Sequence, residues 1–127
     1  KLSLKSVGIS AFENCYALEF ISLPDSLTVI EGAAFADCVS VNKLIFSDTS
    51  LLKKIGDHAF RGCRNLKEVY LPDGVEYVGI SAFRDCVSLE QISVSEKIKD
   101  QPGIAELEKN CPNARIRFRE VNSVEEE

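Results

Sequence analysis

Hydrophobic positions along the chain repeat one phrase four times. Ala-Phe-x-x-Cys occurs at 11–15, 34–38, 59–63 and 82–86, at offsets of 23, 25 and 23 residues. An aliphatic residue precedes each copy, and three apolar residues follow it at fixed spacing. The first copy reads Val7, Ala11, Phe12, Cys15, Leu18, Ile21, Leu23, and the third reads Ile55, Ala59, Phe60, Cys63, Leu66, Val69, Leu71. Seven matched apolar positions in four copies define a repeat, and a repeat of this period means stacked supersecondary units.

Two periodicities share each copy. Ala59, Phe60, Cys63 and Leu66 fall at i, i+1, i+4 and i+7, one face of a helical segment, whereas Leu66, Val69 and Leu71 pass into period-two alternation. Each unit therefore predicts a helix-like turn feeding a short strand, with strands near 19–23, 42–46, 67–71, 90–94 and 114–118. Ser10 with Glu13 has capping-box spacing, and Asp57 and Ser81 suit simple N-caps. The prolines of LPDS (23–26) and LPDG (71–74) turn the chain, and a second short extended stretch leads to the next unit.

A 23-residue unit cannot bury its own apolar face, so neighbouring units must stack. The fold class expected is an α/β solenoid with a parallel sheet on the concave face and short helical turns outside. Parallel strands lie about 4.8 Å apart and packed helices roughly 8–10 Å apart, so the stack should bend into a horseshoe arc. Phe12, Phe35, Phe60 and Phe83 should form a continuous buried column. The organisation expected is one domain over 1–119, with full repeats at 7–29, 30–54, 55–77 and 78–98. A degenerate closing coil at 99–119 lacks the Ala-Phe pair, and an acidic tail follows at 120–127. Ile104, Leu107 and Cys111 at i, i+3, i+7 predict a helix ended by Pro112, before Ala114, Ile116 and Phe118 alternate as a strand.

Charge removes several functions. The chain carries −5, but four of its acids lie in 120–127, leaving fifteen basic against sixteen acidic residues over 1–119. Bulk-charge attraction to nucleic acid is absent, and no run of about 18 apolar residues provides a membrane span. Five cysteines suggest a disulfide scaffold, yet Cys15, Cys38, Cys63 and Cys86 share one repeat slot. At the helical spacing just given they would exceed the roughly 7 Å limit for a bridge. They are expected to be reduced, buried thiols, and a linear stack cannot converge on a metal. His58 is the only histidine, at a polar slot expected on the surface. No catalytic, metal or cofactor residues are assigned.

Period two also sends residues outward from the sheet, in two ladders. One runs Phe20, Lys43, Glu68, Gln91, Arg115, and the other Ser22, Ile45, Tyr70, Ser93, Arg117. The inward slots stay apolar while these vary, so they are the candidate protein-binding residues. Phe20, Ile45 and Tyr70 are the anchors expected from interface chemistry. Arg115, Arg117 and Arg119 fall on one face, either as a basic patch for an acidic partner or as charges guarding the terminal edge strand.

The phrase IGDHAFRGCRNLKEVYLP (55–72) resembles the BspA-type class of leucine-rich repeats, and the likeness covers about residues 4–94. Copy two departs from it, its FSDTSLLKK segment (46–54) being two residues longer and without the proline. The resemblance implies a non-enzymatic protein-binding array, often on the outer surface of bacteria or protists, where members act in adhesion. Its alternative is a spacer within a longer array. The missing methionine and the short opening KLSLKS lead to two further expectations, flanking repeats or end-to-end self-association.

Overall fold

In the computed structural model, which describes residues 3–121, the chain winds as a parallel β-solenoid of about five coils. Each of the first four coils gives one two-residue and one longer strand. The order is β1 (Ser6–Val7), β2 (Phe20–Ser22), β3 (Val29–Ile30), β4 (Lys43–Ile45), β5 (Lys54–Ile55), β6 (Glu68–Tyr70), β7 (Tyr77–Val78) and β8 (Gln91–Ser95). The closing coil follows with a 3₁₀ turn at Glu96–Ile98, α1 (Pro102–Ala105), α2 (Leu107–Asn110) and β9 (Arg115–Arg119). Two parallel sheets result, β1-β3-β5-β7 and β2-β4-β6-β8-β9. The tail expected at 120–127 lies, from residue 122 onward, outside the described residues.

The helix-like turns are not helices, and the hydrogen bonds explain why. Ser10, Phe12 and Asn14 donate their N–H groups to the carbonyls of Gly32, Ala34 and Ala36 in the next coil, at 3.0, 2.7 and 2.9 Å. The N–H groups between them, of Ala11, Glu13 and Cys15, donate three residues back. Alternate amides thus bond along the stack and within the turn, which no α-helix does. This pattern needs left-handed backbone at two sites per turn. Those are Ser10 and Asn14, Ala33 and Asp37, His58 and Gly62, and Ser81 and Asp85, with φ from 55° to 78°. Asn, Asp, His and Gly meet that demand at least cost. Ser10 and Ser81 therefore cap no helix. The Asp57 carboxylate instead accepts from Ile80 N–H at 3.0 Å and from the Tyr77 hydroxyl at 3.2 Å.

Coil spacing on the turn side follows. Phe12, Phe35, Phe60 and Phe83 stack in near-parallel succession, with centroids 5.3, 5.5 and 5.6 Å apart. The 8–10 Å expected of a helical layer is absent, and the wedge bending the stack is correspondingly small. The column is also not buried throughout. Phe35, Phe60 and Phe83 are at most 2% exposed, but Phe12 is 44% exposed, because no described coil covers its far side.

The cysteine column needs a second correction. Its coils lie close, yet every cysteine is free, because the thiols point at backbone rather than at each other. Cys38, Cys63, Cys86 and Cys111 each donate to the carbonyl of the phenylalanine one coil earlier, Phe12, Phe35, Phe60 and Phe83, at 3.1–3.3 Å. Cys111 thus continues the ladder into the closing coil. Burial pushes the Cys63 thiol up to about 12 and that of Cys111 up to about 11. Cys15 is only partly buried.

The closing coil completes what the repeats leave open. In the first three coils the left-handed residue (Ser10, Ala33, His58) donates to a carbonyl of the next turn, but Ser81 donates to the Glu106 carboxylate instead. Gly103 lets this coil approach: a Cβ there would lie 2.3 Å from the Gly79 carbonyl oxygen. Gly79 is equally constrained, since its Cβ would stand 2.5 Å from the Asp57 nitrogen.

Candidate functional site

The pleat of the five-stranded sheet sorts its residues by face. Ile21, Leu44, Val69 and Ile92 point inward and are buried, and Ile116 in the last strand is half-buried. Their neighbours point outward in register. Phe20 pairs with Lys43, Lys43 with Glu68, Glu68 with Gln91 and Gln91 with Arg115. In the second row Ser22 pairs with Ile45, Tyr70 with Ser93 and Ser93 with Arg117. Nine of these ten residues are exposed and Ser93 is intermediate.

Three of them are large and apolar or aromatic. Phe20 is 60%, Ile45 45% and Tyr70 54% exposed. Across β4 and β6 the face opens into a groove of about 860 Å³ lined by Ile45 and Tyr70 together with Asn42, Lys67 and Glu90, while Phe20 lies outside it on β2. Gln91 donates from its Nε2 to a Glu68 carboxylate oxygen at 3.1 Å, tying two rungs of the first row together. The groove thus combines one aromatic ring, an aliphatic side chain, amides and charges of both signs, a lining suited to a polar partner with a few apolar anchors.

The three alternating arginines separate. Arg115 and Arg117 stay exposed on the outward face. Arg119 turns back across β8, and its guanidinium lies 4.0 Å from the centre of the Tyr70 ring. There it donates to the Asp73 carboxylate at 2.6 Å, to the Ser93 hydroxyl at 2.7 Å and to the Leu71 carbonyl. Its side chain is only 12% exposed. Period two put Arg119 on this face, but a contact across 46 residues leaves no mark in local spacing. The edge-guard reading thus fails for Arg119.

Other candidates carry less chemistry. His58 is half-buried rather than on the open surface, in a left-handed turn, with its Nδ1 buried and without a hydrogen-bond partner. Among the described residues no three His, Cys, Asp or Glu side chains are grouped to hold a metal ion. No helix among them is long and apolar enough to cross a membrane.

Comparison with known proteins adds a family. The sequence profile described as "BspA type Leucine rich repeat region (6 copies)" matches residues 1–105. No curated protein matches the chain. Among solved structures, a leucine-rich repeat protein from Bacteroides ovatus is 29% identical over 72% of this chain and 23% of its own, with a TM-score of 0.65. A leucine rich cell surface protein from Faecalibacterium prausnitzii is 24% identical over 93% of this chain and 30% of its own, with a TM-score of 0.77. The pneumococcal vaccine antigen PcpA is 29% identical over 73% of this chain and 24% of its own, with a TM-score of 0.63. The chain thus spans less than a third of the length of each.

Proposed function

Because the chain belongs to the BspA-type leucine-rich-repeat family, we propose that it is a non-catalytic recognition module of a cell-surface protein, binding a protein ligand on the outward face of its five-stranded sheet. The observation that carries this reading is the contrast within single strands. Inward positions repeat as buried aliphatics, while outward positions differ from coil to coil and expose Phe20, Ile45 and Tyr70. Large exposed side chains in and beside a groove are the anchors of a protein interface, and the surrounding charges select the partner. Adhesion is the role that suits such a module on a cell surface. Nucleic acid and membrane insertion have no place in this reading.

A spacer role is the second reading, favoured by the small fraction of each similar chain that these residues span. Cross-linking separates the two. A photoreactive benzoylphenylalanine in place of Ile45 should capture a partner from a panel of purified extracellular proteins. The same group in place of Ile80, which is 52% exposed in a turn beyond the other sheet, should not. Equal capture at both positions, or none at Ile45, would favour the spacer.

A further inference from the structure

The closing coil lacks the repeat phrase, yet one of its side chains, Arg119, reaches Tyr70 on the candidate binding face. We infer that Arg119 is a positioning residue for recognition, fixing the Tyr70 ring from two strands away and making the atypical fifth coil part of the binding site. This rests on the recognition reading above, because only there does the placement of Tyr70 matter.

Tyr70 stands 54% exposed at the groove margin. A solvated aromatic side chain samples several rotamers, and each one frozen on binding subtracts from affinity. Arg119 removes that freedom. Its guanidinium carbon lies over the ring, 4.0 Å from the centroid, where the cation is drawn to the π face. The guanidinium is itself held by Asp73, the Leu71 carbonyl and the Ser93 hydroxyl. Three acceptors on one fork leave the group little room to turn. Asp73 and Leu71 flank the turn after β6, the strand that carries Tyr70, so ring and brace refer to the same coil.

The same contacts fix what Arg119 does not do. Both its terminal nitrogens donate within the protein and its side chain is 12% exposed, so it is no open cation for an acidic ligand. That role falls to Arg115 and Arg117. Lysine would keep the charge but lose the multidentate fork that holds the cation over the ring. Glutamine would lose the charge as well.

Tyrosine ring ¹³C spectra test the brace without any ligand, with Tyr16→Phe and Tyr77→Phe used for assignment. In Arg119→Gln the Tyr70 ring signals should move toward free-tyrosine positions, and in Arg119→Lys they should move part of the way. Amide signals of residues 3–45 should stay in place in both, marking an intact stack. An unmoved Tyr70 signal in Arg119→Gln, with those amides unchanged, would overturn the inference. The second arm uses cross-linking through benzoylphenylalanine at position 45, with the captured panel protein as probe. Arg119→Gln should lower the yield at least threefold. An unchanged yield with a displaced ring would overturn the role in recognition. Absence of product from the parent protein would instead count against the recognition reading, and the ring signals would still decide the brace.

Discussion

The inward and outward faces of the five-stranded sheet come from alternate residues of the same strands, yet they obey different rules. Inward, Ile21, Leu44, Val69 and Ile92 are nearly interchangeable and buried. Outward, Phe20, Lys43, Glu68, Gln91 and Arg115 share a register but no chemistry. One face is constrained by stacking and the other is open to a partner. Substitutions should therefore divide cleanly, inward ones acting on stability and outward ones on binding.

The largest effect belongs to the buried column. Phe60→Ala should cost about 3–5 kcal/mol in urea unfolding, because a closely stacked ring leaves a cavity that its neighbours cannot fill. Phe12→Ala, in the same slot but 44% exposed, should cost about 1 kcal/mol. Equal costs would mean that stacking does not propagate along the column.

Next comes the close approach of the coils. Gly79→Ala should destabilise by about 1–3 kcal/mol, since the added methyl meets the Asp57 backbone nitrogen as well as its carboxylate, which Ile80 N–H and the Tyr77 hydroxyl already hold in place. Thermal unfolding measures it, and an unchanged midpoint would place the turn ladders farther apart than described.

A smaller effect lies in pH. The native Cys63 and Cys111 thiols are held at about 12 and about 11 by burial, against an ordinary value of 9.0. Their folded values are raised, so their contribution is fully present below pH 9 and is lost as pH climbs from there toward 11–12. Stability should fall across that alkaline window in the parent and less in Cys63→Ala, compared with its own value at pH 7. Iodoacetamide at pH 8.5 should label Cys15 first and the buried four only on unfolding.

How far the sequence foretold this depends on the range of each contact. The outward ladders were legible because strand period and repeat period act together: Phe20 and Tyr70 could point only one way once Ile21 and Val69 were buried. The turns were not legible. Ala-Phe-x-x-Cys-x-x-Leu fits a helix face as well as a left-handed turn, and the deciding bonds, such as Phe12 N–H to the Ala34 carbonyl, go to a coil 22 residues away. Cys111 read as a helix residue because its place in the thiol ladder depends on the Phe83 carbonyl, 28 residues earlier. Glu106 and Arg119 act through contacts that local spacing cannot encode.

A small expected change in stability per site accompanies the largest expected change in function. Replacing Phe20, Ile45 and Tyr70 together by alanine should cost about 0.5 kcal/mol or less at each of Phe20 and Ile45, which are exposed, and about 1 kcal/mol at Tyr70, which also loses its contact with Arg119. The decisive measurement is the equilibrium affinity of that triple variant, by calorimetry, for the protein captured through position 45. A loss of more than about 2 kcal/mol, roughly thirtyfold in Kd, is expected if these side chains anchor the partner. An affinity equal to that of the parent protein would contradict recognition on the outward face of the sheet.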